Sequence, residues 1–114
     1  MYYIYMVRCS DDSIYTGIAA DLGRRLREHT EKAPAAAQYT RSRQVQALEM
    51  AWTAEDHSAA SRLECAIKRL PREKKLQLIA APRHMAELLP QLNDRDYTPL
   101  NSLSLADWVK GETK

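Results

Sequence analysis

The first twenty residues carry the pattern of a β-hairpin. Residues 2–8 and residues 14–18 are both rich in aromatic and β-branched side chains, which is typical of strands. Residues 10–13 between them are serines and aspartates, whose side chains hydrogen-bond the backbone of turns. The two runs therefore predict antiparallel strands joined by a four-residue connection.

A helix and a third strand are predicted next. Asp21 is a good N-cap for a helix whose buried side contains Leu22 and Leu26, one turn apart. Residues 30–43, with alanines, a proline and polar side chains, are interpreted as a loop. Apolar positions then resume over residues 45–53 and predict a strand. One side of that strand is predicted to carry Leu48, Met50 and Trp52.

Two consecutive helices follow in the prediction. The first covers residues 57–70, and either Thr53 or Asp56 can cap it. Its buried side is predicted to carry Leu63, Ile67 and Leu70. Pro71 ends this helix, because proline lacks the backbone donor and clashes with the preceding turn. Proline is also favoured at helix starts, so a second helix is predicted over residues 72–80.

The C-terminal third predicts less structure. Residues 84–92 suggest one more short amphipathic helix, and the chain beyond Asn93 is interpreted as a flexible acidic tail in which Trp108 could still dock. The order β-β-α-β-α-α indicates an α+β fold with a three-stranded antiparallel sheet flanked by helices. We expect a domain over residues 1–82 and a helical extension with the tail over residues 83–114.

Length and composition limit the class of protein. A chain of 114 residues fits one domain, and 45% hydrophobic with 28% charged residues is ordinary for a globular protein. Cys9 and Cys65 are too few for a disulfide scaffold and lack the spacing of a zinc ribbon or a redox dithiol. With no bilayer-spanning apolar run and no secretory signal pattern, we expect a cytoplasmic protein that does not bind membranes.

The charge is unevenly distributed along the chain. The formal net charge is +2. Residues 84–114 carry three basic and five acidic side chains, whereas residues 62–75 carry six basic and two acidic ones. A basic body with an acidic tail is compatible with a nucleic-acid partner, although proteins without one share this pattern.

Five residues are candidates for chemistry: Tyr5, Tyr15, Arg25, His29 and Glu64. The two tyrosines lie on the two strands of the predicted hairpin, and His29 follows Arg25 on the same helical face. Taken singly, a strand tyrosine is usually a packing residue and a helical arginine is usually solvated. The set is informative only as an ordered whole.

That ordered set resembles a known nuclease superfamily. Tyr3-Ile4-Tyr5 and Tyr15-Thr16-Gly17 are similar to the two signature tripeptides of the GIY-YIG superfamily, with Tyr3 in place of the first glycine. Arg25, His29 and Glu64 match its catalytic arginine, the following His or Tyr, and its metal-binding glutamate. Tyr39-Thr40-Arg41 and the Ile67–Leu70 stretch resemble the small stand-alone bacterial members of the YhbQ type.

The resemblance implies a divalent-metal-dependent DNA endonuclease, in DNA repair or recombination. It places Mg²⁺ or Mn²⁺ on Glu64, the scissile phosphate against Arg25, and water activation on Tyr5 and Tyr15, with either tyrosine as the base. His29 is expected to relay or accept the proton with a pKa suited to neutral pH. The asparagine that many members carry about a dozen residues after the glutamate is missing, and Gln77 lies in that region.

Six residues are predicted to contact the nucleic acid: Arg24, Tyr39, Arg41, Arg43, Lys68 and Arg72. Such contacts position DNA without reading bases, so the expected partner is branched, nicked or duplex DNA. We also expect a monomer without a small-molecule cofactor. Two alternatives stay open. The chain could be a nucleic-acid-binding module that cleaves nothing, or a protein-interaction module that keeps the fold.

Overall fold

The centre of the protein is a four-stranded antiparallel sheet with strand order β2-β1-β3-β4. The structure is a computed structural model that describes residues 1–31, 44–100 and 104–110. The strands are β1 (Tyr2–Cys9), β2 (Ile14–Ala19), β3 (Val45–Ala54) and β4 (Thr98–Pro99). The α+β class is confirmed. The predicted three-stranded sheet is wrong in its count, because the predicted tail contributes β4 to the free edge of β3.

The described residues form five α-helices, of which the first four begin within one residue of the predicted starts and the fifth is not predicted by the sequence. They are α1 (Leu22–Thr30), α2 (His57–Lys68), α3 (Arg72–Ala80), α4 (Met85–Leu88) and α5 (Leu105–Lys110), with short 3-10 turns at Pro82–His84 and Asp94–Asp96. Asp21 and Asp56 cap α1 and α2 by accepting from backbone N–H groups. None of the described helices could span a membrane.

The helix predicted over residues 84–92 is shorter in the structure, where α4 covers Met85–Leu88. Leu89 leaves the helical region, with φ −130° and ψ 63°. The residue that follows is Pro90, and a residue before proline avoids the helical conformation. The apolar periodicity of this segment therefore predicts its buried side chains but overstates its helical length.

The strand alternation of β1 divides the core between two faces of the sheet. Ile4 and Met6 join the larger cluster, which includes side chains of α2, α3 and α4. Tyr5 and Val7 point to the opposite face, where α1 packs. Successive strand residues point to opposite faces. The N-terminal strand therefore supplies both the main core and the candidate tyrosine at its centre.

A bulge in β3 separates residues that the sequence places on one side. Met6 pairs with Met50, but the next residue of β1, Val7, pairs with Leu48. The extra residue of β3 at this point turns Leu48 toward the α1 face, while Met50 stays in the larger cluster. The prediction that Leu48, Met50 and Trp52 share one side is therefore wrong for Leu48.

Two described aromatic residues after Asn93 pack onto the body of the protein. Tyr97 is buried and its hydroxyl donates to the Ala59 carbonyl oxygen at 2.8 Å. Trp108 packs edge-on against Tyr3, with ring centroids 5.9 Å apart. The expected division after residue 82 stays a prediction. The expected flexibility of the tail also stays a prediction, whereas Tyr97 and Trp108 contact the body of the protein.

A chain ending at Asp94 is expected to be markedly less stable than the full chain. It loses the buried Tyr97 and the β4 pairing, and loss of a buried aromatic side chain costs about 3 kcal/mol. The midpoint of thermal unfolding should fall by roughly 10 °C or more. A chain ending at Lys110 keeps these contacts and is the control. Equal midpoints for the two shortened chains would contradict the docking of Tyr97.

Candidate active site

Tyr5 occupies space that only a glycine in the neighbouring strand leaves open. Tyr5 and Gly17 are paired directly in the β1–β2 register. A Cβ atom placed on Gly17 would lie 2.6 Å from the Tyr5 hydroxyl oxygen and 2.8 Å from Tyr5 Cζ. Both distances are too short for non-bonded atoms, so Gly17 is required here for close approach. Gly17, the last residue of the second signature tripeptide, thus leaves the space that Tyr5 of the first tripeptide fills.

The Tyr5 hydroxyl is held between His29 and Arg25. Tyr5 Oη lies 2.7 Å from His29 Nε2, and both side chains are buried. Burial raises the pKa of Tyr5, the neighbouring Tyr15 raises it further, and a hydrogen bond from Arg25 opposes the shift. Because a guanidinium can only donate, Tyr5 accepts from Arg25, while the direction of its hydrogen bond with His29 follows the tautomer of the imidazole.

His29 is an uncharged imidazole at neutral pH. Burial lowers its pKa to about 4, the positive charge of Arg25 lowers it as well, and Glu28 partly opposes the shift. The expectation that His29 titrates near neutral pH is therefore wrong, since the imidazolium form is disfavoured by burial beside a cation. His29 therefore orients the Tyr5 hydroxyl as a neutral imidazole.

The two adjacent arginines of α1 have different surroundings. Arg25 is 26% exposed and donates from Nη1 to Glu28 Oε1 at 2.9 Å. Arg24 is 70% exposed and its Nε atom lies 3.4 Å from Glu28 Oε2. Only Arg25 lies against Tyr5 and His29. Glu28 was not among the predicted site residues, although its position three residues after Arg25 is the helical spacing that signals such a contact.

Glu64 reaches the same neighbourhood from α2. Its negative charge contributes to the raised pKa of Tyr5. Glu64 Oε2 lies 3.3 Å from Lys68 Nζ, and Lys68 Nζ in turn lies 5.9 Å from the centroid of the Tyr15 ring. The rings of Tyr15 and His29 are 5.6 Å apart. The five predicted catalytic residues are thus brought together by β1, β2, α1 and α2.

The donor set at Glu64 is compatible with a weakly held divalent ion. Within the described ranges, no group of three or more His, Cys, Asp or Glu side chains could hold a metal. Glu64 offers one carboxylate and is 20% exposed. Mg²⁺ is commonly held by one or two carboxylates, with waters and substrate phosphates completing its shell. Glu64 fits that mode of binding, with Lys68 as a competing cation.

The predicted nucleic-acid contacts are spread more widely. Lys68 lies in the site, and exposed Arg24 flanks it. Arg72 is instead paired with Asp12 at the hairpin turn, with 2.9 Å between Arg72 Nη2 and Asp12 Oδ2. Three of the predicted contacts, at positions 39, 41 and 43, lie outside the described residues: Tyr39, Arg41 and Arg43. The contact roles stay predictions.

The depressed pKa of His29 makes stability depend on pH. The unfolded chain takes up the His29 proton near pH 6.5, and the folded chain does so near pH 4. Between these values the unfolded state binds more protons. The stabilising contribution is therefore complete above about pH 6.5 and is lost as pH falls toward 4, by up to about 3 kcal/mol. Urea unfolding between pH 7 and pH 4.5 measures it.

The matched variant for this prediction is His29→Gln. It removes the titrating group, so its free energy of unfolding should fall less steeply between pH 7 and pH 4.5 than that of the parent. Other titrating groups are shared by the two proteins and cancel in the comparison. Parallel pH profiles would show that His29 is not the responsible group.

Comparisons with known proteins identify the family of the chain. A family profile described as the GIY-YIG catalytic domain matches residues 1–77. The UPF0213 protein FN1575 of Fusobacterium nucleatum is 41% identical over 71% of this chain and 79% of its own length. The UPF0213 protein YhbQ of Escherichia coli is 34% identical over 80% of this chain and 89% of its own length.

A solved structure is also similar. The solution NMR structure of the UPF0213 protein BH0048 from Bacillus halodurans is 34% identical, covers 82% of this chain and 98% of that one, and superposes with a TM-score of 0.48.

Proposed function

The chain belongs to the GIY-YIG family, and we propose that it is a divalent-metal-dependent endonuclease that hydrolyses DNA phosphodiester bonds. The observation that carries the proposal is the contact of Tyr5 with both His29 and Arg25 beside Tyr15 and Glu64. A phosphodiester repels an attacking hydroxide, so its hydrolysis needs cationic groups and an oriented proton acceptor. This cluster contains both.

In this proposal Arg25 binds the non-bridging oxygens of the scissile phosphate. Its planar fork can donate two parallel hydrogen bonds, and its 26% exposure leaves it accessible to a ligand. Glu28 holds one of its nitrogen atoms at 2.9 Å. Because that contact limits the rotamers of a long side chain, Arg25 is preorganised for the charge that grows in the transition state.

The two tyrosines take different roles. Tyr5 is fully buried, and its raised pKa keeps it protonated, so it orients neighbouring groups through its hydroxyl. Tyr15 is only partly buried, and Lys68 Nζ lies 5.9 Å from its ring centroid. Tyr5 is also held by His29 and Arg25. We therefore assign the proton of the attacking water to the oxygen of the more exposed Tyr15.

Glu64 is the residue that would hold Mg²⁺ or Mn²⁺. Such an ion supplies neutralisation of phosphate charge and stabilisation of the leaving oxygen. The carboxylate of Glu64 is 20% exposed and adjoins Lys68 and, through it, Tyr15. Its position therefore leaves access for water and phosphate oxygens, which a single-carboxylate site needs.

The test is cleavage of labelled branched, nicked and duplex DNA by the full chain, with and without Mg²⁺ or Mn²⁺. A mobility-shift assay in EDTA reports DNA binding in parallel. We expect cleavage only with the divalent ion. Binding without cleavage would support the non-catalytic module instead, and neither binding nor cleavage would favour a protein-interaction module.

A further inference from the structure

Lys68 is a cation paired with Glu64, the carboxylate that we assign to the metal. It follows Glu64 by four residues on α2, so the two side chains lie on one helical face. Lys68 Nζ is 3.3 Å from Glu64 Oε2. Among the described residues no group of three or more His, Cys, Asp or Glu side chains forms a metal cluster there. A divalent ion that reaches Glu64 must therefore share this carboxylate with Lys68 or replace it.

Lys68 also contacts the other side of the site. Its ammonium lies 5.9 Å from the centroid of Tyr15, within the range of a cation–π contact. The side chain is 50% exposed, whereas that of Glu64 is 20% exposed. A long, half-exposed lysine can leave an ion pair without opening the core, because such surface pairs are weak. The ion pair of Lys68 with Glu64 can therefore open when a divalent ion replaces the ammonium at the carboxylate.

We propose that Lys68 is a positioning residue that occupies the cation position at Glu64 in the metal-free protein and is displaced when a divalent ion binds. The ammonium holds the Glu64 carboxylate beside Tyr15 and balances its charge. It also raises the metal concentration needed to load the site. The inference rests on the proposed metal role of Glu64.

The test measures metal binding by the full chain without DNA. Mg²⁺ is titrated at constant ionic strength, and the amide NMR signals around Glu64 and Tyr15 are followed, which detects even millimolar binding. Lys68→Met keeps an unbranched apolar side chain but removes the charge. Because a positive charge within a few ångströms opposes a divalent ion, Lys68→Met should bind Mg²⁺ about three- to tenfold more tightly than the parent.

Three variants separate this effect from a general change of charge. Lys75→Met removes the same charge from α3, and Lys68→Arg keeps the charge on α2; both should bind Mg²⁺ as the parent does. Lys68→Met combined with Glu64→Gln should lose the tighter binding. Equal Mg²⁺ affinity in Lys68→Met and the parent, or the same tightening in Lys75→Met, would overturn the proposal.

Failure of the Lys68 proposal can be distinguished from failure of the proposed nuclease function. If the parent cleaves DNA with Mg²⁺ but Lys68→Met shows no tighter binding, only the role of Lys68 is wrong. If no Mg²⁺-dependent shift occurs near Glu64 in the parent or in Lys68→Met, the competition is refuted. The cleavage assay then decides separately whether the protein is a nuclease.

Discussion

Arg25→Ala is expected to lower the rate of DNA cleavage by about 100- to 1000-fold while the protein stays folded. Losing one preorganised donor to a transition-state oxyanion typically has this effect. Arg25 is the arginine of α1 that contacts the catalytic cluster, through Tyr5 and Glu28. The rate should be measured under single-turnover conditions with excess protein, so that product release does not mask the chemical step.

Two further variants make this prediction specific. Arg25→Lys should recover little activity, because an ammonium cannot reproduce the bidentate geometry of a guanidinium. Arg24→Ala is the matched control, since Arg24 is 70% exposed and shares Glu28 with Arg25. Because Arg24 is predicted to contact DNA, Arg24→Ala should need more protein to saturate the substrate, but its cleavage rate at saturating protein should be nearly parental. A large loss in Arg24→Ala with a small loss in Arg25→Ala would mean that the other arginine faces the phosphate.

Glu64→Gln is expected to lower cleavage by about 100-fold or more, with little change in stability. The amide keeps the shape of the side chain but not the charge that holds a hard cation, and metal stabilisation of a phosphoryl transition state is worth several kcal/mol. The lost ion pair with Lys68 should cost the helix only about 0.2–0.5 kcal/mol.

Glu73→Gln is the control for the loss of Glu64. Glu73 is an exposed carboxylate in the first turn of α3, so its replacement removes the same charge from another helix. We expect parental cleavage from Glu73→Gln. An unchanged rate in folded Glu64→Gln would remove the metal role from this residue and favour the non-catalytic module.

The sequence predicts most of the fold, because helix caps, helix ends and hairpin turns each depend on a few neighbouring residues. The aspartate caps of α1 and α2, the stop at Pro71 and the four-residue hairpin connection are local features, and the structure contains each of them. Strand β4 is different. It is only two residues long, and its pairing with β3 is a long-range contact that leaves no periodicity in the sequence.

The bulge of β3 is likewise not predictable from the local sequence pattern. Alternation predicts the faces of a regular strand, but one extra residue reverses the alternation beyond it. Leu48 is therefore assigned to the wrong face by pattern alone.

The members of the candidate site are predictable only as an ordered set. Tyr5, Tyr15, Arg25 and Glu64 are each ordinary in isolation, and their meeting depends on how two strands and two helices pack. The sequence does not show that Gly17 makes room for the Tyr5 ring, nor that burial keeps His29 neutral. Those properties follow from the surroundings of a side chain rather than from its type.

The most direct test of the central claim is one single-turnover cleavage experiment on a single DNA substrate. It compares the parent in Mg²⁺, the parent in EDTA and, in Mg²⁺, Arg25→Ala, Glu64→Gln and the double variant that combines them. Residues that act as one catalytic unit have strongly non-additive effects. We predict that the parent cleaves DNA in Mg²⁺ but not in EDTA. The cleavage rate of the double variant should fall by about as much as that of either single variant. Parental cleavage that persists in EDTA, or a double variant as fast as the parent, would contradict the account.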